Sequence, residues 1–137
     1  MADDPYRRIV GLGMSLEALN VAVPIAAAER KAIPLAEGCL DYFPAALIEV
    51  AKLSKVGNYQ HNSGQALHWD RSKSVDHADC ILRHLVDRGL RDTDGVRHST
   101  KVAWRALALL QMELEADGAA IARGATRDAY EPTPNNK

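Results

Sequence analysis

Apolar residues recur at the three- and four-residue spacing of α-helices through most of the chain. Gly57 and Gly89 each follow such a segment and are expected to end it, whereas Pro24 starts, kinks or breaks another. Residues 58–71 show no sustained period and are predicted to form a long ordered loop. The pattern therefore predicts an all-α fold, with helices over 15–33, 44–56, 75–88 and 96–117.

Two of these helices have informative surfaces. In the third, one arc of the helical wheel is apolar and is expected to face the core: Val75, Ala78, Ile81, Leu82, Leu85 and Val86. Asp76, Asp79 and Arg83 lie along the edge of this arc, and His77 and His84 point away from that edge. The last helix is apolar around most of its circumference, so we expect it to pack against another subunit as well as its own core.

Size and charge narrow the classes of function. The 137 residues make one domain, expected over 15–118, between a loose segment at 1–14 and a disordered tail at 119–137. With 17 basic and 18 acidic residues, the net charge of -1 argues against a general nucleic-acid or membrane-surface binder. The two cysteines form no metal-binding pair by spacing, and we expect neither a signal peptide nor a membrane span, which favours the cytoplasm.

Three predicted helices carry charged residues along an otherwise apolar surface. These are Glu49 with Lys52, Asp76 with Asp79 and Arg83, and His98 with Lys101 and Arg105. One interpretation is a set of salt bridges between helices, and an Asp-x-x-Asp also suits the positive end of a helix dipole. The other is a site where carboxylates hold Mg²⁺ or Mn²⁺ while basic groups neutralise phosphate oxygens. Trp69 in the loop either stacks on a base or anchors a lid to the core.

An ordered series of residues from 41 to 115 is more specific than any single motif. It contains FPAALIEVAK from Phe43, GNYQHN from Gly57, His68-Trp69, DHADCILRHL from Asp76, DGVRH from Asp94 and AWRAL from Ala103. The series resembles the dATP/dGTP diphosphohydrolase-type domain of phages and bacteria, a branch of the MazG-like nucleoside triphosphate pyrophosphohydrolases. This resemblance implies an all-α, MazG-like helical bundle completed by homo-oligomerisation, as a homodimer or homotetramer.

The resemblance also implies an activity, because this family cleaves between the α and β phosphates. We expect metal-dependent hydrolysis of purine (deoxy)nucleoside triphosphates, foremost dGTP or GTP, to the monophosphate and pyrophosphate. The expected setting is phage nucleotide metabolism in the host cytoplasm, with Mg²⁺ or Mn²⁺ as cofactor and no nucleic-acid or membrane partner. The alternatives are a nucleotide hydrolase of other base preference and a non-catalytic helical oligomeric module.

Expected site residues come from matching the chain to the family's motifs. In the family the metal lies between an E-E-x-x-E helix and an E-x-x-D helix. Asp76 and Asp79 match the second, and Glu49 remains of the first, with Ala46 and Lys52 where further acids are expected. Glu49, Asp76 and Asp79 are therefore the expected metal ligands and catalytic carboxylates. Lys52, Lys73, Arg83, His98 and Lys101 are the expected phosphate contacts, and Asn62, His68 and Trp69 are expected to close over the nucleoside.

Overall fold

The computed structural model describes residues 27–125, which are mostly helical and include no strand. The α-helices are α1 (Ala27–Ala32), α2 (Pro44–His61), α3 (His77–Val86) and α4 (His98–Ala116). A π-helical turn at Ala36–Leu40 and 3-10 turns at Arg71–Lys73 and Arg123–Ala125 complete the elements of this range. The all-α prediction is confirmed for this part of the chain. The predictions for residues 1–26, including the break at Pro24, and for 126–137 lie outside the described residues.

Helix α2 begins as predicted, with Pro44 in its first turn, but it continues through Gly57 to His61. The predicted stop at Gly57 was wrong, because a single glycine weakens a helix by only about 1 kcal/mol relative to alanine. Asn58 lies in the last turn of this helix and binds the loop that follows: its side-chain amide donates to the carbonyl of Gln65 at 3.1 Å, and its side-chain oxygen accepts from the N–H of His68 at 3.4 Å. The loop therefore starts at Asn62 rather than Asn58.

Helix α3 is shorter than predicted at both ends. It begins at His77 with Asp76 in the N-cap position, and the hydroxyl of Ser74 donates to the Asp76 carboxylate at 3.3 Å. It ends at Val86, and Gly89 adopts a φ of 88° in the turn that follows. A positive φ of this size favours glycine, which explains the residue type there.

Helix α3 packs mainly against α4, and it does so with the face opposite to the predicted one. His77 and Cys80 are buried, with only 4% and 6% of their surface exposed. In contrast, Val75, Leu82 and Val86 of the predicted core arc are 83%, 61% and 77% exposed. The prediction that the apolar arc faces the core of the described chain was therefore wrong. Two of the inward side chains, His77 and His84, instead find hydrogen-bond partners on α4, namely Arg105 and His98.

Helix α4 agrees with its predicted range to within two residues and also packs against α2. The indole N–H of Trp104 donates to the hydroxyl of Ser54 at 2.9 Å, which fixes the two helices at this point. Leu107 and Leu110 nevertheless remain about half exposed in the described chain. None of the described helices combines the length and apolar character needed to cross a bilayer.

The segment after α4 folds back onto the loop that follows α2. The N–H of Ala122 donates to the Glu115 carboxylate at 2.7 Å, and the N–H of Trp69 donates to the carbonyl of Gly124 at 2.6 Å. Residues 119–125 are therefore tied to the helical domain, although the sequence assigned them to a disordered tail. These contacts close one side of the cavity described next.

Candidate functional site

A cavity of about 870 Å³ lies between α2, the loop after it, α4 and the segment around Gly124. Its volume is within the range typical of small-molecule sites. Its lining combines apolar, aromatic and basic side chains, among them Leu53, Trp69, Trp104, Lys73 and Arg105. This mixture suits a ligand with one flat apolar part and one anionic part.

Two tryptophans form the aromatic part of the lining. The rings of Trp69 and Trp104 meet edge to face, with centroids 5.7 Å apart and planes at 76°. The guanidinium of Arg71 lies over the Trp69 ring, 4.3 Å from its centroid, in a cation–π contact. Trp69 is thus fixed by its neighbours, which favours its interpretation as an anchor of the loop while leaving it in the cavity wall.

A sheltered ion pair holds the loop against the end of α4. Arg71 donates two hydrogen bonds to the Glu115 carboxylate, one of them at 2.8 Å from Nη2 to Oε1. Gln111 adds a third donor at 2.9 Å. Arg71, with smaller contributions from Gln111 and the Ala122 N–H, lowers the pKa of Glu115 to about 2. Sequence reasoning missed this pair, since 44 residues separate its members and neither belongs to a motif.

Arg105 brings positive charge to the cavity from α4. Its guanidinium donates to the hydroxyl of Ser74, lies 3.3 Å from Nδ1 of His77 and stacks 5.6 Å from the Trp104 ring. Burial and the charge of Arg105 together lower the pKa of His77. Arg105 therefore contacts neutral groups here, and its charge is directed to the same cavity as that of Lys73.

Lys101 also lines the cavity, but two carboxylates hold its ammonium group. Nζ lies 2.7 Å from Oδ2 of Asp92 and 2.7 Å from Oδ2 of Asp94. The hydrogen bond from Lys101 is the main cause of the lowered pKa of both aspartates. A phosphate that binds Lys101, as the sequence predicts, would therefore compete with these two carboxylates for its ammonium group.

Next to Lys101, two imidazoles from different elements meet. Nδ1 of His84 on α3 and Nδ1 of His98 at the start of α4 are 2.9 Å apart, so one ring donates to the other. With Asp92 they form a group whose ligand atoms all lie within 4.8 Å of one another. Among the described residues this is the one group of three such side chains close enough to hold a metal ion. Burial, followed by the charges of Lys101 and His98, lowers the pKa of His84.

The three carboxylates predicted as metal ligands do not come together in this way. Glu49 pairs with Lys52 at 2.7 Å, and Asp76 pairs with Arg83 at 2.9 Å. The hydrogen bond from Arg83, followed by that from Cys80, lowers the pKa of Asp76 to about 2. Glu49, Asp76 and Asp79 do not form a ligand group within the described residues, and they do not line the cavity.

The ion pairs of Glu49 and Asp76 do not join separate helices, as the salt-bridge interpretation of the sequence expected. Glu49 and Lys52 lie on α2, and Asp76 and Arg83 lie at the start and in the second half of α3, so each pair stays within or beside one helix. Both pairs are largely exposed to solvent and contribute little stability.

The predicted substrate contacts divide between the cavity and the surface outside its lining. Five of them line it: Asn62, His68, Trp69, Lys73 and Lys101. Lys52 and Arg83 lie outside the lining, and His98 reaches it only through His84. His84 and Arg105 are lining residues to which the sequence assigned no substrate contact; the Arg-His pair at 83–84 and the basic spacing of His98, Lys101 and Arg105 were the available signals.

The chain matches no known family model, no curated protein and no solved structure.

Proposed function

We propose that this protein is a nucleoside triphosphate pyrophosphohydrolase that converts purine (deoxy)nucleoside triphosphates, foremost dGTP or GTP, to the monophosphate and pyrophosphate. The proposal keeps the MazG-like resemblance as its guide to reaction and substrate, in the setting of phage nucleotide metabolism. Its support in the structure is the cavity that gathers five of the eight predicted substrate contacts.

The chemistry of the cavity agrees with a nucleotide. Trp69 and Trp104 offer aromatic surface, and base stacking on aromatic rings contributes about 1–3 kcal/mol per base. Lys73 and Arg105 offer positive charge to phosphate oxygens, and Asn62 offers both a donor and an acceptor. An aromatic part and a cationic part in one cavity is the single observation that carries the proposal.

Mg²⁺ or Mn²⁺ remains the proposed cofactor. Such an ion, when bound, polarises phosphate oxygens and orients a water. Carboxylates are suitable donors for it. Glu49, Asp76 and Asp79, however, do not fit a shared ion as they lie, because they form no common ligand group and two of them are paired with basic side chains. We therefore derive no step through them and make their role a question for mutation.

We also propose that the protein works as a homodimer or homotetramer. Large apolar side chains are exposed on each of the three long helices, for example Ile48 on α2, Leu82 on α3 and Leu110 on α4. Exposed apolar surface of this extent is typical of protein contact surfaces. Few hydrophobic residues are buried within the described chain, namely Cys80 and Ala108, which agrees with a core completed by another copy.

The test is a panel of canonical ribo- and deoxyribonucleoside triphosphates, incubated with Mg²⁺ or Mn²⁺ and separated by chromatography. We expect a purine substrate to yield its monophosphate and pyrophosphate in equal amounts. Release of single phosphates, or no product from any nucleotide, would contradict the proposal.

A matched pair of lysine variants connects the activity to the cavity. Lys73→Ala removes a cation from the lining and should lower kcat/KM at least about 10-fold, since a charge-assisted phosphate contact is worth roughly 1.5–3 kcal/mol. Lys55→Ala removes an exposed cation of α2 outside the lining and should leave kcat/KM unchanged. Equal values for the two variants would place the substrate elsewhere.

One observation favours the alternative of a non-catalytic helical oligomeric module. The exposed apolar faces are extensive, whereas the predicted metal carboxylates are unassembled. For such a module, nucleotide and metal should leave the melting temperature unchanged. A ligand at 100 times its dissociation constant instead stabilises the folded state by about 2.7 kcal/mol.

A further inference from the structure

The contact between His84 and His98 is unusual in what it places together. Two rings from different helices approach through the same atom, Nδ1, at 2.9 Å, and their ring planes are tilted by 42°. Both side chains are partly buried. Only one of the two nitrogens can donate in this contact, so the other presents its lone pair to the same small space.

A carboxylate completes the set. Asp92 comes from the turn between α3 and α4, and one of its oxygens lies within 4.8 Å of one nitrogen of each imidazole ring. The turn is held in shape, because the N–H of Asp92 donates to the carbonyl of Val96 at 2.8 Å and Gly95 adopts a φ of 81°. The third ligand is thus positioned by a structured turn.

The charges around this group favour a cation. Asp92 and Asp94 bring two negative charges, and Lys101 between them brings one positive charge, so with neutral imidazoles these groups carry a net charge of -1. The positive charge of Arg105 also acts on His84, but more weakly than that of Lys101. Asp94 holds Lys101 at 2.7 Å independently of Asp92. Lys101 therefore keeps a partner when Asp92 turns an oxygen to an ion.

We propose that His84, Asp92 and His98 form a mononuclear site for a divalent first-row transition metal. Two imidazole nitrogens and one carboxylate oxygen suit zinc, iron, cobalt, nickel or manganese better than magnesium, which prefers oxygen ligands. Three protein ligands also leave coordination positions open, as in catalytic rather than structural metal sites.

The spacing of the two nitrogens agrees with this class of ion. A metal about 2.1 Å from each nitrogen, with the nitrogens 2.9 Å apart, subtends an angle of about 90°, as between neighbouring ligands of a six-coordinate ion. Binding needs both lone pairs to turn to the ion. The ring that donates moves its proton from Nδ1 to Nε2, and neither imidazole loses a proton overall.

The site lies beside the cavity, where a bound metal could act on the substrate; this part of the inference rests on the proposed function. His84 lines the cavity together with Asp94 and Lys101. An ion on His84 would therefore border the space that we assign to the nucleotide, whereas the carboxylates at 49, 76 and 79 do not line it.

The experiment is a titration of the metal-free full chain with Co²⁺, whose visible absorption reports nitrogen and oxygen ligands, without any nucleotide. We expect saturation at one Co²⁺ per chain. Proton NMR of the bound form should show large contact shifts for the ring protons of His84 and His98, and much smaller shifts for His61 and His68, which line the same cavity without being ligands. A wild-type chain that gives no saturable spectrum, or shifts confined to other histidines, overturns the proposal without any variant.

Two aspartate variants form the matched control, because Asp92 and Asp94 each hold Lys101 at 2.7 Å but only Asp92 belongs to the group. Asp92→Asn removes a ligand and should raise the Co²⁺ dissociation constant at least about 100-fold. Asp94→Asn removes one partner of Lys101 but no ligand, and should raise it by about 10-fold. Circular dichroism checks that both variants fold. Equal effects of the two substitutions overturn the assignment of Asp92 as a ligand.

Failure of this inference is distinguishable from failure of the proposed function. Co²⁺ binding is measured in the absence of substrate, so a chain that binds one Co²⁺ but hydrolyses no nucleotide keeps the site and loses the function. A chain that hydrolyses a purine nucleotide but binds no Co²⁺ keeps the function and loses the site.

Discussion

The two faces of α3 show opposite relations between residue type and burial. The inward face carries His77, Cys80 and His84, and two of these are almost fully buried. The outward face carries Leu82 and Val86, which are mostly exposed. Apolar residues are normally buried and histidines are normally at intermediate positions. In α3 this relation is reversed within the described chain, because histidines face inward and apolar residues face outward.

The two faces of α3 therefore suit partners of different chemistry. The inward face is held by specific hydrogen bonds: His84 to His98, and His77 to Arg105. The outward face has no such directional requirement and suits a second apolar surface. The carboxylates Asp76 and Asp79 flank the outward face, whereas the imidazole site lies inside, so the two faces also carry the two rival positions for a metal.

The largest expected effect distinguishes these two metal positions. Asp79→Asn should abolish metal-dependent pyrophosphate release, a loss of at least about 1,000-fold, if the carboxylates of the outward edge hold the ion. The measurement is pyrophosphate release with Mn²⁺, with circular dichroism to confirm folding. Unchanged turnover in Asp79→Asn together with lost turnover in Asp92→Asn would move the catalytic ion to the inward face.

The second prediction concerns what covers the outward face. Leu82→Glu places a charge in the exposed apolar arc and should raise the dissociation constant of the oligomer at least about 100-fold, or roughly 3 kcal/mol, because an unpaired charge cannot be buried there. Analytical ultracentrifugation over a range of concentrations measures this shift. Arg88→Glu, which changes charge outside the apolar arc, is the control, and equal behaviour of the two would show that α3 is not the contact.

The inversion of α3 also explains which parts of the fold the sequence could predict. Helical periodicity located α4 to within two residues and the start of α2, because these depend on local spacing and on Pro44. It could not predict which face of α3 packs against α4. A helical wheel shows which residues share a face, but not which side chains of the rest of the chain lie opposite that face. His77 and His84 are inward because Arg105 and His98 lie opposite them.

The same limit applies to the candidate site. Asn62, His68, Trp69 and Lys73 were predicted as substrate contacts, and the structure gathers them in one cavity. The imidazole group was not predicted, because Asp92 and the two histidines follow no short motif and meet only through the turn between two helices. Spacing finds ligands that share one element, whereas ligands from three elements require the fold.

A third prediction compares the two faces by packing. Cys80→Phe overfills the inward face, where only 6% of the cysteine is exposed, and should lower the free energy of unfolding by about 1–3 kcal/mol. Arg88 is exposed just after the end of α3, so Arg88→Ala should change the free energy of unfolding by less than about 0.5 kcal/mol. Urea denaturation followed by circular dichroism measures both, and equal values would mean that the inward face is loosely packed.

The smallest expected effect concerns pH and separates a sheltered ion pair from one on the outward edge. Arg71 holds the pKa of Glu115 at about 2, below its ordinary value of 4.5, and the Glu115 side chain is only 8% exposed. A carboxyl group whose pKa is lower in the folded state contributes stability above pH 4.5, and this contribution is lost as the pH falls through 4.5 towards 2. Glu115→Gln should therefore be less stable than wild type at pH 7, by about 1–2 kcal/mol, and should lose less of its remaining stability between pH 5 and pH 2.

The matched variant is Asp76→Asn, because the pKa of Asp76 is also lowered to about 2, by Arg83, but both side chains of that pair are largely exposed. Solvent screens such a pair, so its removal should leave the acid dependence of unfolding close to that of wild type. Thermal melts at several pH values measure all three proteins. If Asp76→Asn flattened the acid dependence as much as Glu115→Gln, the edge of α3 that carries Asp76 would be sheltered from solvent. A partner that covers both the carboxylates and the apolar side chains of the outward face would then explain the result.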